Sequence, residues 1–183
     1  MIFYFTATGN SLYVAEHLDK KLISIPQIIK EKELHYCDET IGIVCPIYGS
    51  ELPYMVQEFL KRLTVETKYF YILMTYGHSS GAAATIIHQI LKETSLTADY
   101  IRTIKMVDNY LPAFDMNKEN KVDKKIEIQL EEIRKDIEQK KQILEKTRDE
   151  DRQVYEGYLS FTKEHPELSW KNILFHATEN CIG

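Results

Sequence analysis

Up to about residue 110 the chain alternates short apolar runs with amphipathic stretches. Residues 1–5 (MIFYF), 22–25 (LISI), 40–45 (TIGIVC), 68–75 (KYFYILMT) and 99–107 (DYIRTIKMV) read as five strands. TIGIVC is an almost unbroken apolar run, as expected when both faces of a strand are buried. Between the strands, residues 11–21, 55–63 and 81–93 have helical spacing. Their inward faces are Leu12, Ala15 and Leu18, then Met55, Val56, Phe59, Leu60 and Leu63, then Ala84, Ile87, Ile90 and Leu91. The order β-α-β-β-α-β-α-β predicts an α/β fold with a parallel sheet and crossover helices. Residues 118–153 are dominated by charge, with Val122, Ile126, Leu130, Ile133, Ile137 and Leu144 three, four or seven apart. This spacing predicts one long amphipathic helix, either a cover for the sheet or a partner helix. Residues 155–176 are aromatic-rich and broken by His165-Pro166, which predicts a short helix and a turn.

Composition narrows the classes of function. A chain of 183 residues, 44% apolar and 28% charged, has the make-up of one globular domain with a substantial core. A net charge of −5 and the lack of any dense basic run argue against a nucleic-acid partner. No apolar stretch approaches the roughly 20 residues of a membrane span, and MIFYF lacks the basic start of a signal peptide. Cys37, Cys45 and Cys181 do not make a disulfide framework, so a reducing cytoplasm is the expected location. The six histidines show no metal-ligand spacing. His78 alone stands out, because it lies inside a glycine-bearing loop.

Ligands of open parallel sheets bind beyond the carboxyl ends of the strands, so the loops after the first, third and fourth strands are where chemistry should collect. The first is Thr6-Ala7-Thr8-Gly9-Asn10-Ser11. At a strand-to-helix junction, free backbone N–H groups and the helix dipole favour an anion. The loop adds hydroxyl and amide donors but no Lys or Arg, and it fits neither the P-loop nor the dinucleotide glycine pattern. It therefore reads as a neutral phosphate cradle; the alternative is a plain helix cap from Asn10 or Ser11. The second loop, from Pro46 through Tyr48 and Gly49 to Pro53, sets an aromatic ring beside a close backbone approach. The third, Thr75-Tyr76-Gly77-His78-Ser79-Ser80-Gly81, does the same; the alternatives are a surface turn with an exposed Tyr for the second loop and a Gly81 that only permits close helix packing for the third.

Together these loops resemble the FMN site of the flavodoxin fold, whose [ST]-x-T-G-x-[ST] phosphate pattern is here T-A-T-G-N-S. More narrowly, the chain resembles the flavodoxin-like part of the ferrodoxin family, in which such a domain precedes a bacterial two-[4Fe-4S] ferredoxin domain. MIFYFTATGNSLYVAEHL, GIVCPIYGSELP, MTYGHSSGAA and MVDNYLP carry the resemblance. It implies a flavodoxin-like three-layer sandwich: a five-stranded parallel sheet in the order 2-1-3-4-5, helices on both faces, and a long C-terminal helical extension. It also implies an FMN-binding domain over 1–147, a helical extension packed on it over 148–177, and the start of a ferredoxin domain at 178–183. Thr6, Ala7, Thr8, Gly9, Asn10 and Ser11 would surround the phosphate. Pro46, Tyr48 and Gly49 would form one wall of the ring site, and Thr75, Tyr76, Gly77 and Gly81 the other, with Asn109 and Tyr110 alongside. Ala7 stands where the family commonly has glycine, which matters if that position needs positive φ. The second loop is also more polar than is usual in the family.

Cys181-Ile182-Gly183 matches the opening of the ferredoxin C-x-x-C-x-x-C motif. Cys181 would be a cluster ligand only in a longer chain with the remaining cysteines, so the resemblance implies iron–sulfur clusters for that longer protein and not for these residues. The expected function is electron transfer between FMN and a redox partner or fused ferredoxin domain. Asp108, Glu51 and Tyr48 would lower the flavin potential. The rivals are an FMN-dependent NAD(P)H or quinone reductase and a flavin-free binding or regulatory module.

Overall fold

A computed structural model of the chain describes residues 1–109, 114–119 and 121–166. Two compact units make it up, Met1–Thr147 and Arg148–Gly183. In chain order the first unit contains β1 (Ile2–Tyr4), α1 (Asn10–Leu18), β2 (Leu22–Ser24), α2 (Ile25–Ile28), β3 (Leu34–Cys37), β4 (Thr40–Pro46), α3 (Tyr54–Arg62) and β5 (Leu63–Glu66). It continues with β6 (Tyr69–Tyr76), α4 (Ala83–Lys92), β7 (Tyr100–Lys105), α5 (Met116–Glu119), α6 (Ile126–Glu138) and β8 (Ile143–Leu144). The described part of the second unit is built on α7 (Asp149–Glu164).

The main sheet is wholly parallel, in the order β2-β1-β4-β6-β7-β8. β3 and β5 pair in parallel as a separate two-stranded sheet. The architecture is therefore α/β, with six strands in place of the five expected in the order 2-1-3-4-5. The five strands read from the sequence lie side by side, and the sixth, β8, joins beyond β7 through Tyr100↔Ile143 and Ile101↔Leu144. The long helix expected over 118–153 is corrected as well. Lys125 and Lys140 take positive φ (52° and 50°), so α6 is confined between them and the chain turns back as a strand. Ile126, Leu130, Ile133 and Ile137 belong to that helix, whereas Val122 precedes it and Leu144 is a sheet residue. Leu63, expected to end a helix, begins β5.

Side-chain alternation splits the core into two layers. On one face Ile2, Val44, Tyr71, Leu73, Tyr100 and Ile104 pack with Val14 and Ala15 of α1 and with Leu130 and Ile133 of α6. The alternate residues Phe3, Ile41, Ile43, Phe70 and Ile72 are buried too, and Phe3 meets Phe59 of α3 with ring centroids 5.2 Å apart. On the first face α6 is docked by polar contacts. Asp136, largely buried, accepts from Tyr100 Oη at 3.1 Å and from Lys141 Nζ at 2.6 Å, and pairs with Arg102 at 3.4 Å. Side chains also close the part of β7 that β8 is too short to cover. Glu145 accepts from Thr103 N and Oγ1 at 2.6 and 2.7 Å, and Gln129 accepts from Lys105 N at 3.0 Å. Among the described residues no helix is long and apolar enough to cross a membrane. Tyr110 and residues 178–183, including Cys181, lie outside the described residues.

Candidate functional site

The carboxyl ends of β1, β4, β6 and β7 border a pocket of about 580 Å³, within the range of roughly 300–1,000 Å³ typical of small-molecule sites. Its first side is the loop from β1 into α1. Gly9 precedes the helix with φ 101°, and no side chain caps the helix N-terminus. The plain-cap alternative therefore fails: both candidate caps are engaged elsewhere. Asn10 Nδ2 donates to the Val107 carbonyl at 2.9 Å, and Ser11 Oγ shares a buried hydrogen bond with Thr75 Oγ1 at 2.8 Å. Thr6 Oγ1 accepts from Gly9 N at 3.0 Å and Thr8 Oγ1 accepts from Asn109. Both threonine hydroxyls thus keep their own protons to donate into the pocket. Ala7 is not among the residues with positive φ, so a methyl group is tolerated there.

The second side is a tight turn after β4. Tyr48 and Glu51 exchange backbone hydrogen bonds of 2.8 and 3.0 Å around Gly49 and Ser50, which both have positive φ (58° and 69°), the signature of a primed turn. It presents Tyr48 half-exposed at the pocket, edge-on to Phe5 at a centroid distance of 6.5 Å. Burial raises the Tyr48 phenol above its ordinary range, keeping it neutral. The third loop leaves β6 with two glycines that serve packing. A Cβ at Gly77 would overlap the Asp108 side chain, and one at Gly81, where φ is 50°, would overlap Ser50 of the second loop. Neighbouring Cys45 is fully buried, and desolvation pushes its thiol up to about 12, so it is a packing residue.

Of the residues proposed from sequence, Thr6, Ala7, Thr8, Asn10, Ser11, Pro46, Tyr48, Gly49, Thr75, Tyr76 and Gly77 line this pocket. Gly9 and Gly81 do not; they shape the loops that do. Among the described residues no lysine or arginine lines it, and no group of three His, Cys, Asp or Glu could hold a metal ion.

No family model and no curated protein sequence matches the chain. Solved structures do. An NAD(P)H:quinone oxidoreductase from Methanothermobacter marburgensis is 11% identical over 74% of this chain and 94% of its own, with a TM-score of 0.48. Smu.1420 from Streptococcus mutans UA159 is 14% identical over 73% and 95%, TM-score 0.45. A flavodoxin from the domain Archaea is 17% identical over 73% and 96%, TM-score 0.37. The chemistry of the site rests on its own geometry.

That geometry includes lining residues given no place in the site by the sequence reading, Ile47, Ser79, Val107 and Phe114, and also Asp108, which was expected near the flavin. His78 and Asn109, noted without a role, line it as well, and the His78 ring lies 5.7 Å from that of Phe114. Only the topology brings the segment after β7 against the first loop. The signal for it in the sequence was the MVDNYLP stretch at the end of the fifth strand, with Asp108, Asn109 and Tyr110.

Proposed function

We propose that the chain is an electron-transfer flavoprotein that holds FMN non-covalently in this pocket. The observation that carries the reading is an uncapped helix N-terminus, ringed by neutral donors, opening into a cleft with aromatic walls. The donor set fits a phosphate monoester: first-turn N–H groups with no side-chain cap, and the hydroxyls of Thr6 and Thr8 in the same lining, each with a proton free to donate. The flat ring would lie between Tyr48 on the second loop and the His78–Phe114 side, with Pro46 and the backbone at Gly49 and Gly77 in close approach. Bound there, FMN would supply reversible one- and two-electron chemistry. The chain's own residues anchor the phosphate, orient the ring and keep water from its faces. Asp108 in the lining sets negative charge beside the ring and so opposes reduction. In this reading the redox partner is an iron–sulfur protein of ferredoxin type.

The test is the visible spectrum and flavin fluorescence of the purified chain during FMN titration. Saturable quenching with one FMN per chain is expected. A protein that stays colourless and leaves FMN fluorescence unchanged would refute the reading and favour the flavin-free module. Steady-state NAD(P)H oxidation by the loaded protein separates a carrier, which shows almost none, from a reductase.

A further inference from the structure

Ser11 and Thr75 border the pocket from different elements, Ser11 as the second residue of α1 and Thr75 near the end of β6. Their hydroxyl oxygens are 2.8 Å apart, and the two residues are only 1% and 2% exposed. Among the described residues, this shared bond is the one hydrogen bond that either hydroxyl makes. A hydroxyl carries one proton and can also accept. The pair therefore holds two protons and spends one between its own oxygens. The second proton is left over in a site shut off from bulk water, where an unused donor is unfavourable.

Where that proton sits depends on which oxygen donates. With Ser11 as donor it stays on Thr75, at the ring side. With Thr75 as donor it stays on Ser11, inside a helix N-terminus that no side chain caps. An anion at that terminus selects the second arrangement, because it takes the proton Ser11 offers. The chain from Thr75 through Ser11 to the anion then runs in one direction, and each bond polarises the next. We infer that Thr75 is a positioning residue for the anion end of the site: it donates to Ser11 Oγ, fixes that side chain and turns the Ser11 proton toward a phosphate. Thr75 thus acts at the opposite end of the ligand from the ring wall to which the resemblance assigned it. The phosphate being that of FMN rests on the flavin reading; the selection by an anion does not.

The test compares Thr75→Val, which keeps the shape and removes the donor, with Ser11→Ala and with the double variant. FMN, riboflavin and inorganic phosphate are the probes. For Thr75→Val the Kd for FMN is expected to rise about tenfold, while that for riboflavin, which lacks the phosphate, stays within about twofold. The double variant should bind FMN no more weakly than Ser11→Ala alone, since the two hydroxyls act as one chain. Thr75→Ser should restore the wild-type affinity. Equal weakening of FMN and riboflavin overturns the inference, because Thr75 is then a wall of the ring site. Unchanged FMN affinity, additive losses in the double variant, or a Thr75→Val protein that does not fold overturn it too. A wild type that ignores both flavins, yet shows shifts in the amide resonances of residues 9–11 with inorganic phosphate that Thr75→Val abolishes, refutes the flavin reading and leaves the inference standing. No response to any of the three probes refutes both.

Discussion

Three single positions can be tested directly. Ala7 sits at negative φ, so Ala7→Gly gains no conformational relief and only loosens the unfolded chain. FMN affinity is expected to stay within twofold, and chemical denaturation should show a loss of about 0.4–1 kcal/mol. At Gly42 of β4 the space a Cβ needs is filled by the Tyr71 ring of β6, its partner in register. Gly42→Ala should cost about 1–3 kcal/mol through overpacking, lowering Tm by several degrees. Asp108 argues through charge. Replacing it with Asn keeps the shape beside Gly77 and removes one negative charge from the lining. Redox titration should then show the flavin potential raised by roughly 40 mV, about 1 kcal/mol of charge–charge energy.

At the scale of elements, α6 depends on Asp136. The Lys141 ammonium, with help from Tyr100 and Arg102, holds this carboxyl below its ordinary range even though burial opposes it. A carboxyl depressed on folding stabilises the fold above its unfolded value, and that contribution disappears as pH falls through the folded one. Wild-type stability should therefore decline as pH drops below about 4, and Asp136→Asn should flatten that decline while costing about 1–3 kcal/mol at neutral pH. Denaturation curves at pH 3, 5 and 7 check both.

α6 also shows where pattern reading succeeds and where it stops. Its buried stripe was legible, because Ile126, Leu130, Ile133 and Ile137 keep helical spacing. Its limits were not, because the positive-φ turns at Lys125 and Lys140 fall on ordinary lysines with no glycine to mark them. Leu144, seven residues past Ile137, continues the helical spacing while belonging to a strand. β3 and β5 were too short and too exposed to carry a clear alternation. The first three sides of the pocket were legible because glycines and hydroxyls cluster at strand ends. The side formed by Val107–Asn109 was reached only through the MVDNYLP resemblance, because it is made by β7 lying beside β6 and not by a glycine or hydroxyl cluster.

At the scale of the whole molecule, the sheet, both core layers and the described lining residues of the pocket belong to Met1–Thr147. A chain ended after Thr147 is expected to fold with an unchanged far-ultraviolet spectrum per helix retained and to bind FMN within twofold of the full length. Thr147 is the natural last residue to keep, since its Oγ1 accepts from Thr85 N at 2.9 Å in α4.

Among the described residues the pocket wall is built from neutral donors with no lysine or arginine, and that has a consequence for ionic strength. Salt weakens attraction between full charges over a Debye length of about 10 Å at 0.1 M, but hardly touches short contacts with backbone and hydroxyl dipoles. An anion seated on such dipoles has no counterion atmosphere to win back. Molar salt, which strips ligands from basic sites, should leave this one loaded. Because the whole chain carries −5, screening should even ease the approach of an anionic ligand, so the association rate rises with salt while the dissociation rate stays level.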